Sequence, residues 1–204
     1  MASLYFKYGT MNSGKSLLLQ AVAYNYEENG NTVLVFKPSI DNRSENKIYS
    51  RTGIEREAIS VFKNTSIYTI VYKHIQSNLN NNIGCILVDE SQFLSKDQVL
   101  ELCMIVDKLN IPVISYGLKN DFQNELFEGS KYLLLYADNV EEIRTICRCC
   151  SKKATMVIRL NAQGKIERDG DQVVIDNEEN RQNYTYVPVC RFHYSYDDEF
   201  YKNY

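Results

Sequence analysis

The chain has 204 residues, 44% of them apolar, with 9 glycines and 3 prolines; this suits one globular domain with a small appendage and excludes two large ones. Lys and Arg number 23 against 26 Asp and Glu, a net charge of -3, so the chain lacks the basic excess of a dedicated nucleic-acid binder. No run approaches the roughly 18 apolar residues of a membrane span, and Met1-Ala2-Ser3-Leu4 carries no basic stretch ahead of an apolar one, so a cytoplasmic protein without membrane contact is expected.

In chain order, Leu4 to Tyr8 is an apolar and aromatic run ending at Gly9, and Thr32 to Phe36 is a second between Gly30 and Pro38; both predict buried strands. Between them, Ser16 to Tyr26 has helix-length apolar periodicity and stops near Asn29-Gly30. A strand is predicted from Ala58 to Phe62, then a helix from Ser66 to Leu79 closed by an Asn-rich turn. Cys85 to Val88 is an apolar strand running straight into Asp89-Glu90. Ser95 is the expected N-cap of a helix over Lys96 to Leu109, with Asp97 in its first turn, and Ile111 to Tyr116 is the next strand, stopped by Gly117. This alternation predicts an α/β domain over residues 1–140: a mostly parallel sheet of the P-loop NTPase type flanked by helices on both faces.

Beyond Tyr136 the texture changes to short strands and loops without a helix: Glu142 to Cys147, Met156 to Leu160 and Val173 to Ile175. Asp176 to Asn183 is polar enough to be a loop that orders only on binding. Residues 141–204 are expected to form a separate small lobe.

Gly9-Thr10-Met11-Asn12-Ser13-Gly14-Lys15-Ser16 fits the phosphate-binding loop, and it lies between a predicted strand and a predicted helix as that mechanism requires. Its glycines let backbone amides and the helix N-terminus face phosphate. Lys15 would reach the terminal phosphates and the Ser16 hydroxyl would ligate Mg2+ bound with ATP. Asp89, at a strand end, suits the same metal, and Glu90 suits a general base acting on a hydroxyl or a water. Asp41 and Arg43 follow the second strand at the same sheet edge; on their own they read as a turn with solvated charges, although an arginine there could stabilise a transferred phosphoryl group.

Of six cysteines, Cys85 and Cys103 sit singly in apolar runs as buried hydrophobes. Cys147-x-x-Cys150 and Cys190-x-x-His193 are two ligand pairs about forty residues apart, the donor set of a closed tetrahedral Zn2+ site with a structural role. Cys149 offers an alternative donor beside the first pair. Two activities fit these residues: a phosphotransferase using ATP, and a P-loop ATPase acting on nucleic acid, for which Asp89-Glu90-Ser91-Gln92 matches a helicase box. Chain length and negative charge disfavour the second.

The ordered set is recognisable. The loop Gly9 to Ser16 with Met11 inside it, Lys37-Pro38 with Asp41 and Arg43, Ser50-Arg51-Thr52-Gly53, Val88 to Phe93, Tyr116-Gly117-Leu118 with Asp121-Phe122 and Glu125-Leu126-Phe127, and the two zinc knuckles resemble the zinc-containing type of thymidine kinase found in bacteria, poxviruses and animal cytosol, most closely its enteric bacterial branch. The match runs from about residue 2 to residue 195. The resemblance implies transfer of the γ-phosphate of ATP to the 5'-hydroxyl of thymidine, and of deoxyuridine, for nucleotide salvage and DNA synthesis. It implies Glu90 as base, Asp89 serving magnesium, and Asp41, Arg43 and Gln92 lining the phosphate region. Met11, Phe93, Leu118, Phe122, Phe127 and Tyr186 fall at nucleoside-pocket positions. Gln172, Val173, Val174, Ile175 and Asp176 fall on a lasso-like loop that closes over the base with backbone contacts. Val157 stands where some members carry a threonine near the base, and Ile175-Asp176-Asn177 replaces the usual Ile-Gly-Gly. A homotetramer with feedback by the triphosphate of thymidine (dTTP) is implied by the family alone.

Overall fold

The computed structural model describes residues 1–39, 47–49, 53, 55–77, 82–172 and 184–196. The chain runs β1 (Leu4–Gly9), α1 (Lys15–Glu28), β2 (Thr32–Pro38), β3 (Lys47–Tyr49), β4 (Glu55–Glu57), β5 (Ile59–Val61), α2 (Ile67–Ser77), β6 (Ile83–Val88), a 3-10 turn (Ser91–Phe93) and α3 (Lys96–Leu109). It continues with β7 (Val113–Gly117), α4 (Glu128–Tyr136), β8 (Asn139–Ile143), β9 (Met156–Asn161), β10 (Ile166–Glu167), β11 (Tyr184–Val189) and α5 (Arg191–Tyr196).

Side chains two apart on a strand share a face, and that period divides the apolar runs between two layers. Leu4, Phe6, Leu34, Phe36, Ile86 and Val88 pack on one face against Ile67 and Val71 of α2, Val99 and Leu102 of α3, and Leu133 of α4. Their neighbours Val35, Cys85, Leu87, Ile114 and Tyr116 pack on the other face against Leu19 and Ala23 of α1. Strands buried on both faces pair in parallel, in the order β5-β2-β6-β7-β1-β8, and every pairing among these six is parallel. The loops after β1, β6 and β7 therefore leave the same sheet edge, where open α/β sheets hold ligands.

Ser95 caps α3 as its sequence demands: its hydroxyl accepts from Gln98 N at 3.3 Å while Ser95 N donates to Gln98 Oε1 at 3.1 Å. Two expectations change. The strand placed at Glu142 to Cys147 is Asn139–Ile143, because its partner is β1, in the register Tyr5 to Asn139 through Gly9 to Ile143. Beyond Ile143 the chain leaves the sheet, and Cys147 N donates to Lys152 O at 2.8 Å beside an isolated antiparallel bridge between Ile146 and Lys153. The C-terminal part also contains a helix, α5, directly after Cys190. Helix α4 has no counterpart in the sequence expectations, since a glycine in its first turn weakens the helical signal. Gly129 belongs there for packing: a side-chain carbon on it would overlap Ser91 O and come within 2.9 Å of Gln92 O and Leu94 O.

A second sheet, β10-β9-β11, is antiparallel. Ile158, Leu160, Val187 and Val189 face its own apolar cluster with Cys147, Ala154 and Cys190. The intervening residues Val157, Arg159, Tyr184 and Tyr186 share the opposite face.

Candidate active site

The loop that leaves β1 has left-handed backbone at Asn12 (φ 64°) and at Gly14 (φ 83°), the latter the N-cap of α1. Left-handed residues alternating with ordinary ones turn successive amides to one side, the geometry that cradles anions. The side chain of Lys15 is mostly buried and its Nζ donates to Thr10 O at 2.9 Å across the loop. Thr10 Oγ1 and Ser13 Oγ are buried with no hydrogen-bond partner among the described residues, so the loop presents donors that an anion would satisfy. Gly9 to Ser16 thus form a candidate anion cradle, with Met11 half-buried within it.

Ser16 Oγ donates to Asp89 Oδ2 at 3.0 Å, which joins the cradle to the end of β6. Asp89 is 2% exposed, and burial followed by the charge of Glu90 pushes its carboxyl up to about 6; Ser16, the Glu90 amide and Lys15 pull the other way. A hydroxyl and a carboxylate oxygen side by side are the hard oxygen donors that magnesium takes, so these two residues fit the ion expected with ATP. Glu90 itself has left-handed backbone (φ 50°), an uncommon conformation for this residue type, and its amide donates to Asp89 Oδ1 at 3.0 Å.

Gln92 links three segments. Its Nε2 donates to Glu90 Oε2 at 2.6 Å and its Oε1 accepts from Leu118 N at 3.0 Å, which ties the end of β6 to the end of β7. Ser130 Oγ of α4 donates to Leu118 O at 2.5 Å on the other side of the same residue. Phe93 and Phe127 meet edge to face at 5.6 Å between centroids, at the N-terminus of α4.

Phe122 and Tyr186 also meet, tilted at 64° with centroids 6.5 Å apart, one from the loop after β7 and the other from β11. Tyr194 OH donates to Phe122 O at 3.0 Å. Gln172 Nε2 donates to Asp121 Oδ2 at 2.9 Å, and Asp121 Oδ1 accepts from Gln123 N and Glu125 N. Val157, 3% exposed, lies on the face of the small sheet that carries Tyr186. Two groupings therefore emerge: Asp89, Glu90, Gln92, Phe93, Leu118 and Phe127 around the sheet edge, and Phe122, Val157, Gln172 and Tyr186 at the small sheet. Asp41 and Arg43, and Val173, Val174, Ile175 and Asp176, lie outside the described residues.

Two residues of this region are given no role by sequence reasoning, although Asp121 belongs to the Asp121-Phe122 motif. Asp121 organises its turn and holds Gln172. Arg159 is 3% exposed and stands over Phe122 with its guanidinium carbon 3.7 Å from the ring centroid. The signal for Arg159 was present, a single charge inside the apolar run Met156-Val157-Ile158-Arg159-Leu160.

Cys147, Cys150, Cys190 and His193 bring their ligand atoms within 4.8 Å of one another. Cys190 Sγ and His193 Nδ1 are 3.2 Å apart because α5 starts directly after Cys190; Cys147 and Cys150 Sγ each lie 3.6 Å from that nitrogen, and Cys150 Sγ lies 3.8 Å from Cys190 Sγ. Bonds of about 2.3 Å to sulfur and 2.0 Å to nitrogen at tetrahedral angles set ligand atoms roughly 3.5 to 3.8 Å apart, so the four donors fit one zinc-sized ion. Cys149 instead donates its amide to Cys147 Sγ at 3.4 Å, hydrogen bonding that stabilises a thiolate ligand.

A phosphate cradle joined through Ser16 to a strand-end Asp-Glu pair, on an all-parallel sheet, defines a P-loop fold with the apparatus of a phosphoryl transferase. A sequence model of the thymidine kinase family matches residues 2–194. A thymidine kinase of Listeria monocytogenes is 53% identical over 192 residues, covering 94% of this chain and 95% of its own. One of Streptococcus pyogenes is 51% identical over 195 residues, covering 95% of this chain and 97% of its own. The chain belongs to the thymidine kinase family. Among solved structures, that of a DNA replication initiation factor overlaps 70% of this chain and 40% of its own at 15% identity and a TM-score of 0.37, too slight a likeness to carry weight.

Proposed function

We infer that this protein is an enzyme of nucleotide salvage, a thymidine kinase that transfers the γ-phosphate of ATP to the 5'-hydroxyl of thymidine and releases dTMP and ADP. The observation that supports the reading is the Ser16–Asp89 contact of 3.0 Å, which joins the Gly9–Ser16 loop to the strand end that precedes Glu90, in a chain of this family. Cradle amides and Lys15 take the phosphates of ATP, with Asp41, Arg43 and Gln92 along the phosphate path. Ser16 and Asp89 would hold Mg2+, whose charge offsets that of the phosphates when the ion is bound. Glu90, whose Oε2 accepts from Gln92, takes the proton of the attacking hydroxyl.

Phe93, Phe127, Phe122 and Tyr186 supply apolar area for the nucleoside, with Met11, Leu118 and Val157 alongside. Gln172 and the stretch Val173 to Asp176 close over the base, and closure excludes water from the transferred group. The Cys147, Cys150, Cys190 and His193 cluster holds structural Zn2+ that fastens the base of this lobe. A cytoplasmic homotetramer inhibited by dTTP completes the reading; the bare structural facts are that no helix among the described residues is long and apolar enough to cross a membrane, and that the relatives are named thymidine kinases.

The test is ADP release by the purified protein with ATP and magnesium, with no acceptor, thymidine, deoxyuridine, deoxycytidine, a purine deoxynucleoside or single-stranded DNA. Thymidine-dependent release with dTMP as product is expected. Release stimulated by DNA and indifferent to nucleosides would overturn the reading in favour of an ATPase acting on nucleic acid, an activity that family membership and the net charge of -3 do not favour.

A further inference from the structure

Arg159 is a buried cation set in an otherwise apolar strand. Its guanidinium carbon lies 3.7 Å from the centroid of the Phe122 ring and 4.8 Å from that of the Tyr184 ring. Nη2 donates to Asp169 O at 2.5 Å and Nη1 donates to Asp171 O at 3.2 Å, while Glu167 Oε2 lies 3.4 Å from Nη2. A planar fork is the group that can grip two carbonyls at once while stacking on an aromatic face. The gripped residues immediately precede Gln172, whose side chain reaches Asp121, the neighbour of Phe122. Gly170 lets the chain pass this close: it has φ 116°, and a side-chain carbon there would fall 2.6 Å from Arg159 Nη2. One side chain therefore couples the segment that ends at Gln172 to the ring of Phe122.

We propose that Arg159 is a positioning residue for nucleoside binding: by gripping the carbonyls of Asp169 and Asp171 while stacked on Phe122, it sets where the segment leading to Gln172 sits beside Phe122. This rests on the reading of Phe122 and Gln172 as pocket residues. Arg159 does not touch the reacting atoms or the phosphate cradle, so it acts on nucleoside affinity alike in the ground and transition states. Its loss therefore appears in KM for thymidine rather than in kcat.

The experiment compares Arg159→Lys and Gly170→Ala with the wild-type enzyme, measuring kcat, KM for thymidine, KM for ATP, zinc content and thermal unfolding. Lysine keeps the charge but cannot make the two-carbonyl fork. Gly170→Ala displaces the same guanidinium from an exposed loop, so it decides the matter if Arg159→Lys fails to fold. Both variants should raise KM for thymidine about tenfold or more, with kcat within about threefold and KM for ATP and zinc content unchanged. Unaltered KM for thymidine in a folded variant, or a fall confined to kcat, overturns the positioning role. Wild-type protein without thymidine-dependent turnover overturns the functional reading beneath it, a failure distinct from wild-type turnover that the variants leave untouched.

Discussion

Asp89→Asn, in protein free of nucleotide and metal, should stabilise the fold at neutral pH. Asp89 is buried at the end of β6 against the charge of Glu90, and its carboxyl rises from an ordinary 3.8 to about 6. A carboxyl raised in the folded state binds more protons folded than unfolded between those values. Stability relative to a neutral side chain therefore falls as pH rises through that window, and the whole penalty is present above about pH 6. At about 1.4 kcal/mol per pH unit the rise is worth on the order of 3 kcal/mol, a figure already net of the lowering by Ser16, the Glu90 amide and Lys15. Asparagine removes the charge and can still accept from the Glu90 amide. Urea unfolding of both proteins at pH 7.5 and pH 4 should give a variant more stable by roughly 1–3 kcal/mol at the higher pH, with the gain vanishing at the lower. A variant no more stable at pH 7.5, or one whose gain persists at pH 4, would refute the account. The same variant should lose thymidine-dependent ADP release, because the ionised carboxylate that costs stability is the one placed beside the Ser16 hydroxyl.

Three further perturbations test other parts of the site. Glu90→Gln should reduce thymidine-dependent transfer about 10²–10⁴-fold while ATP binding, followed by calorimetry, is retained; turnover near the wild-type rate would remove Glu90 from the role of base. Cys190→Ser breaks the donor set at its closest contact, so metal analysis should show zinc lost and proteolysis should begin in the C-terminal sheet; a metal-free variant with full activity and unchanged melting would contradict a structural metal. Gly129→Ala drives a methyl group into the backbone of the 3-10 turn and should cost about 1–3 kcal/mol in thermal unfolding, with KM for thymidine rising as Phe127 shifts from Phe93; a variant of wild-type stability would show that α4 can retreat freely.

Legible in the residues alone are the strand–loop–helix unit around Gly9 to Ser16, the capped helix after Ser95, the strand running into Asp89-Glu90 and the Cys-x-x-Cys and Cys-x-x-His pairs. Each is a local pattern: the spacing of glycines, a cap three residues from its partner, an apolar run meeting two acids, paired donors with two residues between them. The tertiary structure decided what required pairing at a distance. The length of β1 drew β8 to Asn139–Ile143, earlier than its own residues suggest, because parallel register is set by the partner strand. Helix α4 forms despite an early glycine because close approach to Ser91 and Gln92 is possible only without a side chain. Arg159 acquires its place only when β9 is laid against β11 and beneath Phe122, since no local pattern tells a buried arginine which carbonyls it will grip. Local chemistry thus names the groups that handle phosphate and metal, while the seat of the nucleoside loop depends on contacts between residues far apart in the chain.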